Sequence, residues 1–185
     1  MAARLENPEL AVVLTPMRRR HLRGVLRIEG QVYPRPWSLG LFTGELALTD
    51  SRVYVVARIS GTVAGYSGLM VVAEDGHITT IAVDPEWQRH GLATRMLLQL
   101  IDSGVARGVE HLTLEVRHTN RNAQELYRKF GFAPAGIRRG YYVDNREDAL
   151  VMWVHDVQSE EYAERLSGIR AGIEGMTIVE GFEAK

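Results

Sequence analysis

Cysteine is absent from all 185 residues of the chain. This absence excludes disulfide bonds, thiolate metal sites and a cysteine nucleophile. Long apolar runs are also missing, since none approaches the roughly 20 residues that a membrane-spanning helix needs. The first segment, MAARLENPEL, lacks the apolar core of a signal peptide. A cytoplasmic location is therefore the simplest expectation, and neither a membrane partner nor a bound metal is expected.

Neither sign of charge dominates the chain. Its 22 lysines and arginines are balanced by 23 aspartates and glutamates, which leaves a net charge of −1 at pH 7. Global attraction to nucleic acid is therefore weak, and no direct nucleic-acid partner is expected. Two basic clusters, residues 18–20 and Arg138 with Arg139, are interpreted first as a solvated helix face and a hairpin rim. The alternative is that they guide a phosphate or another charged substrate.

Hydrophobic periodicity predicts an α/β fold with a mixed, mostly antiparallel central sheet flanked by helices. Helices are predicted after Thr15-Pro16, after Ser38, and over 92–101 and 120–130. Strands are predicted at 11–14, 52–59, 63–72, 77–83, 111–116, 132–137 and 149–154. The first strands are joined by short turns, and the centre has a strand–helix–strand order.

The pattern changes after Asp156, so the predicted domain spans residues 11–155. Residues 156–185 are predicted to be a C-terminal extension. A helix is expected to begin near Ser159, and glycines then interrupt the pattern, so the end from residue 175 is expected to be disordered.

A strand that runs through a tight turn into a helix is the first motif with chemical meaning. It reads IAVDPEWQRHGLA over residues 81–93. The first amides of a helix lack intrahelical partners, and the helix dipole adds positive potential there. Because Gly91 and Ala93 are small, a phosphate can approach this backbone closely. The alternative is a helix start that needs small residues only for packing.

The second motif covers residues 114–132 and reads LEVRHTNRNAQELYRKFGF. Alternation along the strand places Glu115 on the face opposite Leu114 and Val116. Tyr127 lies at the edge of the apolar face of the following helix. From spacing alone, a solvated strand-end carboxylate explains Glu115 at least as well as a catalytic role does. A core side chain likewise explains Tyr127.

Both motifs resemble those of the GNAT family of N-acetyltransferases. Residues 88–93 match the Gln/Arg-x-x-Gly-x-Gly/Ala pattern of that family's acetyl-CoA loop. Residues 114–132 match, position by position, the pattern Leu-Glu-Val-Arg-x-x-Asn-x-x-Ala-x-x-Leu-Tyr-x-x-x-Gly-Phe of its RimI-type branch, the ribosomal-protein alanine N-acetyltransferases. The resemblance covers about residues 11–155 and implies the GNAT, or acyl-CoA N-acyltransferase, fold.

The resemblance also implies a co-substrate and roles for individual residues. The co-substrate is acetyl-CoA, with Glu115 as general base, Tyr127 as general acid and Asn120 as a coenzyme contact. The pantetheine arm is expected to pair with the strand at Ile81, Ala82 and Val83. The pyrophosphate is expected in a turn made of Arg89, His90, Gly91, Leu92, Ala93 and Thr94.

Acceptor-binding residues are implied by two further segments. Tyr141 and Tyr142 resemble a tyrosine pair that holds the peptide backbone in N-terminal acetyltransferases. Tyr33 and Trp37 lie in a segment that resembles the first loop of the same branch, although Pro34 and Arg35 lengthen it here. Ordinary aromatic packing under loops is the alternative for all four.

The expected reaction is acetyl transfer to the N-terminal α-amine of a protein, with a ribosomal protein as one candidate. Deprotonating a lysine at pH 7 costs about 4.6 kcal/mol, whereas an α-amine costs about 1.2 kcal/mol. A lysine, a polyamine or another small amine is the alternative acceptor, and a non-catalytic acetyl-CoA-binding module is a further alternative. The extension is expected to pack on the domain, to cover the acceptor groove or to join two subunits.

Overall fold

The computed structural model describes residues 10–182. The helices are α1 (Leu22–Val32), α2 (Leu39–Ala47), α3 (Leu92–Val105), α4 (Arg121–Lys129) and α5 (Glu160–Ala171). The strands are β1 (Ala11–Pro16), β2 (Arg52–Ile59), β3 (Thr62–Val72), β4 (Asp75–Val83), β5 (His111–Arg117), β6 (Ala133–Arg138), β7 (Ala149–Val154) and β8 (Met176–Val179). No helix within residues 10–182 is both long and apolar enough to cross a membrane.

All eight strands form one sheet in the order β6-β7-β5-β4-β3-β2-β1-β8. Neighbouring strands are antiparallel, except that β4 and β5 run parallel and β1 and β8 run parallel. The prediction of a mostly antiparallel mixed sheet with flanking helices is therefore confirmed.

The two central strands separate soon after they meet. Pairing between β4 and β5 is confined to residues 75–77 of β4 and 111–113 of β5. In β4, Ile78 pairs with Leu69 and Thr80 with Gly68, so Thr79 is an extra residue that bends the strand. Beyond His77 the strands diverge, and a gap opens in the middle of the sheet.

Helices cover both faces of the sheet and bury two apolar clusters. Helices α3, α4 and α5 pack one face through side chains that include Met96, Leu100, Phe130 and Leu166. Helices α1 and α2 pack the other face through Val25, Ile28 and Phe42. Each such side chain contributes roughly 1.5–3 kcal/mol when fully buried. The cluster under α3, α4 and α5 joins strands on both sides of the gap, whereas the cluster under α1 and α2 contains strand residues of β2, β3 and β4 only.

Two of the predicted helix starts are found in the structure, and a third is not. Ser38 and Ser159 cap α2 and α5, because their hydroxyls accept hydrogen bonds from the amides of Leu41 and Tyr162. The predicted helix start at Thr15-Pro16 is wrong. Strand β1 continues through both residues, opposite Val56 and Val55 of β2. The reason is tertiary, since pairing with β2 outweighs the local helix signal.

The extension packs on the domain. In α5, Tyr162, Leu166 and Ile169 are buried, and the Tyr162 hydroxyl donates to the Phe130 carbonyl at 2.9 Å. The expectation of disorder from residue 175 is wrong for Met176–Val179, because β8 pairs in parallel with β1 and so satisfies its backbone. The expectation for residues 183–185, like that for the N-terminal residues 1–9, falls outside the described part of the chain.

Candidate active site

A cavity of about 610 Å³ occupies the gap between β4 and β5. Its walls come from both strands, α4, the loop between α1 and α2, and the loop between β6 and β7. Eight residues predicted from sequence line it together: Tyr33, Trp37, Ile81, Glu115, Asn120, Tyr127, Tyr141 and Tyr142. The predicted catalytic pair and the predicted acceptor residues therefore line the same cavity.

Glu115 is held in this cavity by two basic side chains. Its Oε2 lies 3.0 Å from Nε2 of His77, and its Oε1 lies 3.3 Å from Nη2 of Arg138. The carboxylate side chain is only 8% exposed, whereas that of Arg138 is 58% exposed. Burial lowers the pKa of His77, and nearby Arg138 lowers it further, while the charge of Glu115 opposes the shift. The Glu115 carboxylate therefore lies between the imidazole of His77 and the solvated guanidinium of Arg138.

Tyr127 projects from α4 into the same cavity. It is mostly buried and packs edge-on against Phe132, with ring centroids 5.8 Å apart. Burial raises the pKa of its phenol well above the usual value of about 10. The phenol consequently keeps its proton across the neutral range and can act as a donor.

The turn before α3, where the pyrophosphate is expected, has a left-handed backbone at two positions. Arg89 and Gly91 both adopt positive φ, at 68° and 72°. Gly91 is the N-cap of α3 and offers no side-chain cap to the first amides of the helix. Upstream, Asp84 pairs with Arg27 at 2.5 Å and accepts from the Glu86 amide at 3.0 Å, which fixes the entry to the turn.

The residues predicted to bind the coenzyme differ in whether a ligand can contact the side chain or only the backbone. Ala82 and Leu92 bury their side chains in opposite cores, so only their backbones can contact a ligand. Val83 packs against the α3 side of the sheet. Asn120 lines the cavity, and its Oδ1 also accepts from the Ala123 amide at 3.1 Å, which caps α4. The residues of the turn, 89–94, lie outside the cavity lining.

The loop between α1 and α2 is tied to the floor of the gap. The Tyr33 hydroxyl donates to the Ile81 carbonyl at 3.0 Å. The amide of Trp37 donates to Oε1 of Glu29 at 2.8 Å, and the hydroxyl of Tyr66 donates to Oε2. Burial raises the pKa of Glu29. A coenzyme arm that pairs with Ile81 would share its carbonyl with Tyr33 or displace that hydroxyl.

Arg117 organises the loop between β6 and β7. Its guanidinium pairs with Asp144 at 2.8 Å and with Glu147 at 3.1 Å, and it lies 3.9 Å from the ring centre of Tyr142. Tyr141 packs edge-on against Tyr142 at 5.2 Å. Burial raises the pKa of Tyr142 to about 12, so this phenol is also protonated at neutral pH.

Sequence reasoning missed the roles of His77, Glu29 and Arg117. All three act through contacts with distant segments, which no local spacing encodes. One signal was available for His77. It begins the predicted strand 77–83, which precedes the strand of Glu115 in the strand–helix–strand order, and the structure places the two side chains side by side.

A second cavity, of about 680 Å³, lies between α2 and the end of α3. Three of its polar side chains, Glu45, Arg52 and Tyr54, are bonded to each other. Glu45 binds Arg52 at 2.7 Å and accepts from the Tyr54 hydroxyl at 2.8 Å. Because it contains none of the predicted site residues, the chemistry is assigned to the gap between β4 and β5.

Comparison with known proteins agrees with this geometry. The "Acetyltransferase (GNAT) family" pattern matches residues 22–132. The ribosomal protein bS18-alanine N-acetyltransferase of Escherichia coli is 38% identical over 135 residues, which are 71% of this chain and 88% of that protein. The N-alpha-acetyltransferase RimI of Mycobacterium tuberculosis is 40% identical over 121 residues, which are 63% of this chain and 74% of that protein.

A solved structure extends the likeness to three dimensions. The ribosomal-protein-S18-alanine N-acetyltransferase from Escherichia coli covers 78% of this chain and 94% of its own, with a TM-score of 0.72 and 34% identity. The separated central strands, the turn before α3 and the matched sequence define an acetyl-transferring enzyme. The chain belongs to the GNAT family of acetyltransferases, and its likeness to RimI-type members is specific.

Proposed function

We propose that the chain transfers an acetyl group from acetyl-CoA to the N-terminal α-amine of a protein, with ribosomal protein bS18 as the first candidate substrate. One observation carries the proposal: Glu115 and Tyr127 line one cavity together with Tyr141 and Tyr142. The named activities of the relatives support the same acceptor class. A ribosomal substrate implies action in the cytoplasm, on protein rather than on nucleic acid or membrane.

The separated strand and the turn before α3 provide for acetyl-CoA. Beyond His77, β4 has no pairing with β5 in the described register, so the amide-rich pantetheine arm has a strand edge to bind. Residues 89–94 supply the amides of the turn and the first helical turn for the pyrophosphate. Asn120 lines the same cavity from the side of α4 and is the proposed further contact with the coenzyme.

The proposed reaction uses Glu115 and Tyr127 in opposite roles. The carboxylate of Glu115 takes a proton from the α-ammonium, directly or through a water molecule, and the free amine attacks the thioester carbonyl. Backbone amides of β4 beyond Thr79 stabilise the oxyanion. As the carbon–nitrogen bond forms and the carbon–sulfur bond breaks, Tyr127 donates its proton to the departing thiolate. The second proton of the attacking nitrogen then passes to the Tyr127 phenolate, directly or through a water molecule, which leaves a neutral amide and restores the phenol, while Glu115 releases its proton to solvent.

The acceptor groove lies between the two loops that carry the aromatic residues. The loop of Tyr33 and Trp37 is fixed through Glu29 and Ile81. The opposite loop is fixed through Arg117, with the phenols of Tyr141 and Tyr142 at the cavity. The hydroxyls of these two side chains can donate to carbonyl groups of an extended peptide.

A pair of peptides tests the proposal. One carries a free N-terminal alanine and no lysine, and the other has a blocked N-terminus and one internal lysine. Mass spectrometry of the products locates the added acetyl group. We expect modification of the first peptide at its α-amine. Transfer mainly to the lysine peptide, or to a polyamine offered alone, would replace this acceptor with the alternative one.

A further inference from the structure

Arg95 is a buried arginine in the first turns of α3, directly behind the turn at residues 89–91. It is 2% exposed, and no carboxylate within residues 10–182 lies within salt-bridge distance of it. A charge without a counter-charge is costly to bury, so hydrogen-bond acceptors must compensate for the lost water. The identity of those acceptors shows what Arg95 connects.

The acceptors come from two parts of the chain. On the side of the turn, Nη1 donates to the His90 carbonyl at 2.9 Å. On the side of the extension, Nε donates to Oγ1 of Thr177 at 2.8 Å, and Nη2 donates to the Glu174 carbonyl. The guanidinium therefore bridges the predicted pyrophosphate turn and the strand β8 of the extension.

The turn and the guanidinium are in tight contact. A Cβ added to Gly91 would lie 2.7 Å from Nη1 of Arg95. The positive charge of Arg95 also lies near the N-terminus of α3, where it adds to the potential that attracts an anion. Both the shape and the charge of the turn consequently depend on where Arg95 is held.

We propose that Arg95, Glu174 and Thr177 form a brace through which the C-terminal extension sets the affinity of the enzyme for acetyl-CoA. This inference rests on the proposed function of the turn at residues 89–94. The region that matches the GNAT family, residues 22–132, includes Arg95 but stops before Glu174 and Thr177. The brace thus joins a family element to a segment outside the matched region.

Thr177 offers the mildest test, because it is exposed and only its hydroxyl reaches Arg95. Thr177→Val keeps the shape and removes the acceptor, whereas Thr177→Ser keeps the acceptor. We expect Thr177→Val to raise KM for acetyl-CoA roughly 3- to 10-fold, the effect of losing one typical hydrogen bond. The kcat and the KM for peptide stay within about twofold of the parent values, and Thr177→Ser restores the KM for acetyl-CoA.

Arg170→Ala is the matched control. Arg170 is also in the extension and also contacts α3, but it binds Asp102 on an exposed surface far from the turn. We expect no change in its KM for acetyl-CoA. An unchanged KM in Thr177→Val, or equal increases in Thr177→Val and Arg170→Ala, would overturn the proposal.

Calorimetric titration of the parent protein with acetyl-CoA distinguishes a failure of the brace from a failure of the proposed function of the turn. Binding by the parent and equal affinity in Thr177→Val would overturn the brace alone. No binding by the parent would overturn the proposed function of the turn, and the brace with it.

Discussion

Nε2 of His77 lies 3.0 Å from Oε2 of Glu115, across the point where β4 and β5 separate. At this distance Nε2 can donate to the carboxylate oxygen, which can only accept. Burial lowers the pKa of His77, while the charge of Glu115 opposes the shift, so the neutral imidazole is the favoured form in this contact. His77, the last residue of β4 that pairs with β5, thus holds the proposed base at the mouth of the gap.

Replacing Tyr127 by phenylalanine removes the proposed acid, the phenol hydroxyl, but keeps the packing of the ring. The ring contact with Phe132 is retained, but the proton for the leaving thiolate is lost. We expect kcat to fall by roughly 10²–10⁴-fold, the usual contribution of a general acid. Burial raises the pKa of Tyr127, so the parent phenol stays protonated as pH rises, and the defect of the variant persists at high pH. Recovery of kcat at alkaline pH would contradict the assigned role.

Gly91→Ala is expected to abolish acetyl-CoA binding. The added Cβ collides with Arg95 and occupies the approach of the phosphate, and the positive φ strains any non-glycine residue. In the parent, acetyl-CoA at about 100 times its dissociation constant adds roughly 2.7 kcal/mol to the free energy of unfolding. We expect that thermal stabilisation to disappear in the variant.

Gly61→Ala controls for backbone strain. Gly61 has a similar φ of 81° but open space where the Cβ would lie, and it is in the β2–β3 turn. We expect it to keep the stabilisation by acetyl-CoA. Stabilisation retained in Gly91→Ala as well would remove the turn from the coenzyme site.

The double change Tyr141→Phe/Tyr142→Phe tests the acceptor groove. The edge-on ring contact and the stacking of Arg117 on Tyr142 are preserved, while both hydroxyls are lost. We expect KM for peptide to rise roughly tenfold, as for one or two lost hydrogen bonds, with KM for acetyl-CoA unchanged. Steady-state kinetics with each substrate varied in turn measures the split. An equal rise in both KM values would indicate a general change in the cavity instead.

Stability is expected to decrease below neutral pH because of His21. This residue is buried, and its Nδ1 accepts from the Arg18 amide at 3.0 Å. Burial first, and then Arg20, Arg58 and Arg18, lower its pKa below 6.5 in the folded state. The unfolded chain therefore takes up the proton more readily, and the free energy of unfolding declines as pH falls from about 6.5 through the lower folded-state pKa.

Urea unfolding at pH 7.5 and at lower pH measures this decline. His21→Asn keeps an acceptor near the position of Nδ1 but does not titrate, so its decline should be smaller. The lowered pKa of His77 acts in the same direction and accounts for part of what remains. An identical decline in parent and variant would exclude His21 as a contributor.

Local sequence predicted most of the fold. The apolar spacing of α3 and the alternation of β5 are strong enough to predict these elements from the local sequence, and Ser38 and Ser159 mark helix starts by their own hydrogen bonds. Strand β8 was not predicted, because its four residues carry no alternation and gain their structure only beside β1. The helix start predicted at Thr15-Pro16 is wrong for a similar reason, since the strand conformation of Pro16 follows from pairing with β2.

The candidate site was predictable where it depends on contiguous motifs. The turn before α3, Glu115 and Tyr127 each belong to one continuous segment. The contact of Arg138 with Glu115 joins segments that only the sheet order brings together, and the bonds of Arg95 to Glu174 and Thr177 join α3 to the extension. Such contacts can be predicted only when the sheet topology is known, and the spacing of residues in a single sequence does not give that topology.

The pH dependence of kcat for Glu115→Gln tests the central claim most directly. The variant keeps the shape of the side chain but cannot take a proton. With a peptide carrying a free N-terminal alanine, we expect kcat at pH 7 to fall by roughly 10²–10⁴-fold, and to recover toward the parent value as rising pH supplies the free amine. Acetyl-CoA binding should be unchanged, which excludes misfolding. A near-normal kcat at pH 7, or a loss that persists at every pH while acetyl-CoA still binds, would contradict Glu115 as the general base.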